Sequence, residues 1–132
     1  MIDLFSKYKI IFYLINFGLI FFYLYPGSLF GLILYDNIKV QPQLTQDFMK
    51  ISSNHFYVFI VISVIGFFSY VKSRDINFLI LYLIFLSIIL ELFHLFIPER
   101  NFQWEDLFGN LFGVFIVIFI NKLISKYELF KK

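Results

Sequence analysis

The chain has 132 residues, of which 61% are hydrophobic and 21 are Phe, and its mean hydropathy is +0.84. A soluble domain of that length leaves too much of its chain exposed to hide so much apolar surface, so the composition points to lipid as the solvent. The formal net charge of +2 is too small to imply nucleic acid, and the lack of Cys excludes thiolate metal sites, redox pairs and disulfides.

The predicted elements are all helical. After a short head carrying Lys7 and Lys9, the run to Tyr25 is apolar except for Asn16 and its tyrosines, and Pro26-Gly27 ends it. This first span, residues 9–25, is just long enough to cross a hydrocarbon core. A cleaved signal peptide is the rival reading. No small-x-small site follows, and bulky Tyr25-Pro26 is a poor junction, so an uncleaved span is expected. Residues 28–53 form the longest connection, with an apolar patch from Leu29 to Tyr35, a turn signal at Asp36-Asn37, and Pro42; part of it is expected to lie at the membrane interface. Ser52, Ser53 and Asn54 suit the N-cap of a second span over 55–71.

A polar hinge, Lys72-Ser73-Arg74-Asp75, leads to the third and longest span, 76–97, which Pro98 ends. The fourth, 107–124, follows Trp104 at a position suited to the interface, and a basic tail closes the sequence. The runs are continuously apolar, with no polar residue at alternate positions, which argues against a membrane β-barrel. The fold class expected is an all-α integral membrane bundle of four transmembrane helices, forming one domain over 1–132.

Basic residues set the expected orientation. With the N-terminus inside, Lys7, Lys9, Lys72, Arg74, Lys122, Lys126, Lys131 and Lys132 lie on the cytoplasmic side, against Lys39, Lys50 and Arg100 outside. Four spans return the C-terminus to the cytoplasm and leave the acidic loop from Glu99 to Asp106 extracytoplasmic.

Polar residues gather where the third and fourth spans meet. Glu91 and His94 are i and i+3 on one helical face, and Asp106 and Asn110 are i and i+4 on the next. The loop between is short, so the two helices are expected to be antiparallel neighbours, with Arg100 above as the counter-charge and His55 level with them. Gly109 and Gly113 form a G-x-x-x-G pair that lets a neighbouring backbone approach closely. Ionisable groups beside hydrocarbon are expensive, so this concentration is the candidate site.

Each residue also has a plainer reading. Glu91 can be a structural ion pair with Arg100, Asp106 can complement a helix dipole, and Arg100 can bind an anion or only anchor its loop. Asn110 in a helix interior is not explained by capping. Asn16 and Ser63 are read as interhelical hydrogen-bonding residues, and the Tyr and Phe side chains as lipid-facing filler and belt. His55, His94, Glu91 and Asp106 carry metal-donor chemistry, but no tight ligand motif is present, and neither metal nor cofactor is expected.

The run from Glu91 through His94 and Pro98 to Arg100, followed by Asp106, Asn110 and Gly113, resembles the signature of VanZ-like membrane proteins. That family shows E-x-x-Q at the end of one span, P-x-R in the loop and D-x-x-x-N-x-x-G opening the next. His55-Phe56 and Pro26 match its earlier His and its Pro after the first span, and the likeness extends from about Tyr25 to Ile120. There are two departures. His94 stands where Gln is usual, and the family's Asp-Lys pair before its His is missing, with Asp47 and Lys50 further away.

The resemblance implies a bacterial inner (cytoplasmic) membrane protein of the teicoplanin-resistance type. Because an amide does not titrate near neutral pH, it also implies that position 94 needs a hydrogen-bonding group and not a base. The function expected is recognition of an anionic lipid or lipid-linked cell-envelope precursor head group by Glu91, His94, Arg100, Asp106, Asn110 and His55. The alternatives are a membrane-embedded hydrolase or transferase with Glu91 or Asp106 as general base, and a structural interaction module. The partner expected in every case is the lipid bilayer, and the residues assign no oligomeric state.

Overall fold

The computed structural model describes residues 4–71 and 73–130 and is all-helical. In chain order the helices are α1 (Leu4–Leu24), α2 (Leu29–Tyr35), α3 (Ser53–Tyr70), α4 (Ile76–Phe93) and α5 (Trp104–Phe130). By length and composition α3, α4 and α5 can each cross a membrane, and α1 joined to α2 across a 78° bend is a fourth candidate. Lys72, Lys131 and Lys132, which enter the orientation argument, lie outside the described residues.

Each long helix buries one stripe and turns the rest outward. On α4 the stripe is Leu79, Leu83, Leu86, Ser87, Leu90 and Glu91, and on α3 it includes His55, Phe59, Ile62, Gly66 and Ser69. The spacing of three and four residues is what brings these positions to one face. Phe12, Leu19 and Tyr23 on α1 and Asn110, Val114 and Val117 on α5 complete the interior. Large side chains such as Phe17, Phe78 and Phe119 point away from it, the arrangement expected when lipid covers the outside.

The tightest packing is between α3 and α5, and the G-x-x-x-G pair explains it. A Cβ on Gly109 would lie 2.6 Å from the Ser52 carbonyl oxygen, and one on Gly113 would lie 2.7 Å from that of Phe56. The close neighbour of these glycines is therefore α3. Helix α5 also packs on α4, as the short loop requires, but less extensively.

The boundaries differ from expectation: α1 begins earlier, at Leu4, α3 runs from Ser53 to Tyr70, and three further differences have a clear local cause or form. The third span ends as an α-helix at Phe93, and residues 94–96 continue as tighter i→i+3 turns, His94 N–H to Glu91 O, Leu95 to Leu92 and Phe96 to Phe93. Pro98 disfavours the α conformation just before it, so the helix winds down ahead of it. Helix α5 begins at Trp104, before the expected start, and reaches Phe130. The apolar patch at Leu29–Tyr35 is itself a helix: Ser28 Oγ caps it by accepting from Gly31 N–H at 2.9 Å, and Asp36 ends it in the left-handed region at φ 51°.

Of the two polar residues read as interhelical, Asn16 hydrogen-bonds the Tyr82 hydroxyl on α4. Ser63 does not: its hydroxyl is buried without a partner.

Candidate functional site

At one end of the bundle every buried stripe finishes in a polar residue: Tyr23 on α1, His55 on α3, Glu91 on α4 and Asn110 on α5. Below them the stripes are mostly leucine, isoleucine, valine and phenylalanine, so these polar groups depend on one another and on nearby backbone groups for partners.

The hydrogen-bond directions can be worked out from the acceptors. Asn110 Nδ2 donates to the Ser87 carbonyl at 3.0 Å, which turns Asn110 Oδ1 toward α1 and α3. The Tyr23 hydroxyl donates to that oxygen at 2.7 Å. His55 Nδ1 lies 2.7 Å from the Tyr23 oxygen and 3.0 Å from Asn110 Oδ1. With the Tyr23 proton on Asn110, both oxygens can only accept from the ring, so in the neutral imidazole Nδ1 carries the proton and Nε2 is the bare nitrogen. That Nε2 lies 3.4 Å from Asp106 Oδ2.

His94 repeats the pattern. Its Nε2 is 3.0 Å from the Tyr23 backbone carbonyl, which can only accept, so Nε2 is the protonated nitrogen. Its Nδ1 lies 3.3 Å from Glu91 Oε2. The other Glu91 oxygen accepts from the Gln103 backbone N–H at 3.0 Å, while Oε2 is buried with no hydrogen bond. Donation to a backbone carbonyl is a task an amide performs as well as an imidazole.

One expected contact is not made. Arg100 is not paired with Glu91; its Nε donates to Tyr25 O at 3.2 Å, Nη2 to Phe22 O at 3.0 Å and Nη1 to Gln41 Oε1 at 3.3 Å. The carbonyls at the end of α1 have no intrahelical partners, and the dipole there favours a cation, so the guanidinium fork is drawn to them. Burial pulls the Arg100 pKa below its ordinary value, opposed by nearby Tyr23, Asp106 and Glu91, and the group stays a cation.

The consequence is that Glu91 and Asp106 share a buried region in which, among the described residues, neither forms an ion pair with Lys or Arg. Side-chain exposure is 0% for Glu91 and 17% for Asp106.

Tyr23 is the residue that sequence reasoning passed over as filler. Its hydroxyl reaches His55 and Asn110, its carbonyl holds His94, and its ring stacks on the His94 ring at 5.7 Å. The one available signal was its place four residues after Leu19 on the buried face of α1.

Beside this cluster, the α1–α2 bend and the start of α3 enclose a cavity of about 420 Å³. Phe22, Phe30, Leu34 and Val58 give it an apolar wall; Gln41, His55 and Arg100 are its polar side. No family model, curated protein or solved structure matches this chain.

Proposed function

We propose that the protein is a four-span bacterial inner-membrane protein of the VanZ-like type, with both termini in the cytoplasm. Its cavity takes the anionic head group and adjoining chain of a lipid or lipid-linked envelope precursor, the basis of a link to glycopeptide tolerance. The observation that carries this is the pairing of an apolar wall with a guanidinium in one cavity of about 420 Å³, a volume within the range of ligand sites. Three of the five Arg100 N–H donors are used on protein oxygens, which leaves two for an anion.

Native mass spectrometry of the purified protein with its co-purified lipids tests the reading. The wild type is expected to retain an anionic lipid class. Arg100→Ala is expected to lose that class, and Val58→Trp, which fills the cavity from its apolar wall, is expected to lose it as well. Identical lipid spectra for all three proteins overturn the assignment.

The His55–Asp106 pair at 3.4 Å favours a second reading, a membrane-embedded hydrolase or transferase. There Asp106 or Glu91 is the general base. Loss of lipid turnover in Asp106→Asn or Glu91→Gln, with binding kept, supports it, and full turnover in both removes it.

A further inference from the structure

We infer that His55, Glu91 and Asp106 form a binding site for one divalent transition-metal ion. Each residue offers a ligand atom, and these atoms all lie within 4.8 Å of one another. Spacing along the sequence argued against a metal because the donors come from three different helices; the fold supplies the proximity that the spacing lacks.

One edge of the cluster already has the dimension of a metal site. The 3.4 Å between His55 Nε2 and Asp106 Oδ2 is long for a hydrogen bond. It matches the edge of a tetrahedron whose metal–ligand bonds are about 2.0–2.2 Å. His55 is held by its other nitrogen, whose proton goes to Asn110 Oδ1 and the Tyr23 oxygen, so the bare Nε2 is the atom turned to the site. An oxygen acceptor fixing the tautomer of a ligating imidazole is the usual support of a metal site.

Glu91 supplies a separate sign. Its Oε2 is fully buried with no hydrogen bond, with the His94 Nδ1 that faces it 3.3 Å away, while Oε1 is held by the Gln103 N–H. A buried carboxylate oxygen without a donor is an expensive thing to leave in place. With Asp106 beside it and no Lys or Arg ion pair among the described residues, a doubly charged ion balances both carboxylates.

One imidazole nitrogen and two carboxylate oxygens, with no Cys in the chain, select zinc, manganese or ferrous iron over soft monovalent copper. Three protein ligands leave one position open, the pattern of sites that bind or activate a further group. His55 also borders the cavity. The metal assignment stands on the cluster alone and does not require a guest there.

The test uses tag-free protein in detergent micelles, stripped with EDTA, exposed to Zn²⁺ and desalted. Metal is counted per chain by plasma mass spectrometry, and the zinc coordination is read by X-ray absorption. One Zn²⁺ per chain is expected, in a nitrogen and oxygen shell at about 2.0–2.2 Å with scattering from a single imidazole. His55→Gln and Asp106→Asn are expected to weaken uptake at least tenfold. Asn110→Ala, which frees the His55 ring, is expected to weaken it roughly 10–100-fold, and the exposed Glu99→Gln to leave it unchanged.

No saturable uptake, a shell lacking imidazole, or equal uptake by wild type and the cluster variants overturns the proposal. If His55→Gln does not fold, Asp106→Asn and the wild-type spectrum decide. Lipid retention is measured separately, so loss of one result does not masquerade as loss of the other.

Discussion

The Tyr23 hydroxyl donates a 2.7 Å hydrogen bond to Asn110 Oδ1, joining the end of α1 to the start of α5 across 87 positions of sequence. The same hydroxyl is 2.7 Å from His55 Nδ1, so one oxygen ties three helices together. Tyr23→Phe keeps the ring but leaves the buried His55 and Asn110 groups short of a partner. Such a loss costs about 1–3 kcal/mol. The expected outcome is a lower unfolding temperature in detergent with helical content unchanged. An unchanged midpoint would show that the bond contributes nothing.

Close helix contact makes a second prediction. Gly109→Ala and Gly113→Ala each push a methyl group into the α3 backbone, at 2.6 and 2.7 Å from carbonyl oxygens. Each is expected to destabilise by about 1–3 kcal/mol, since two packed backbones cannot yield as a flexible side chain does. Gly18, on α1, has nothing within 4 Å of the same methyl position. Gly18→Ala is expected to be neutral or to stabilise by about 0.5–1 kcal/mol. Thermal midpoints of the three variants check the contrast.

Arg100 anchors the turn between α1 and α2 through Phe22 and Tyr25 carbonyls. Arg100→Lys keeps the charge but loses the planar fork, so it is expected to cost about 1–3 kcal/mol and not to rescue the arginine. Hydrogen exchange is expected to rise in the amides from Gly27 to Gly31, next to the released carbonyls. Protection equal to wild type there would mean that the bend holds without the guanidinium.

Orientation can be tested directly because the chain contains no Cys. Met49, 96% exposed in the α2–α3 connection, and Ser73, in the α3–α4 hinge, lie on opposite sides of the proposed topology. In intact cells an impermeant thiol reagent is expected to label Met49→Cys and to reach Ser73→Cys only after lysis. The reverse pattern would invert the protein.

Much of the architecture was legible in the sequence because helical stripes are written in residue spacing. Glu91 and His94 share a face by their separation of three, and the loop to Asp106 is too short to let α5 stray from α4. The glycines forecast a close helix contact, though spacing cannot say which helix makes it, and it is α3. Two features were not legible. Arg100 binds backbone carbonyls, and a carbonyl is present at every position, so no residue type marks its partner. Tyr23 is one of nine tyrosines, and only the packing of four helices singles out the one whose hydroxyl is buried.

The polar end of the bundle draws on residues as far apart as Tyr23 and Asn110, and this sets a timetable for biosynthesis. The ribosome delivers Tyr23, His55 and Glu91 while Asp106 and Asn110 are still unmade. Until the following segment arrives, Glu91 lacks both the Gln103 N–H that holds its Oε1 and its neighbour Asp106. Completion of the last helix then acts as a latch that closes on all three.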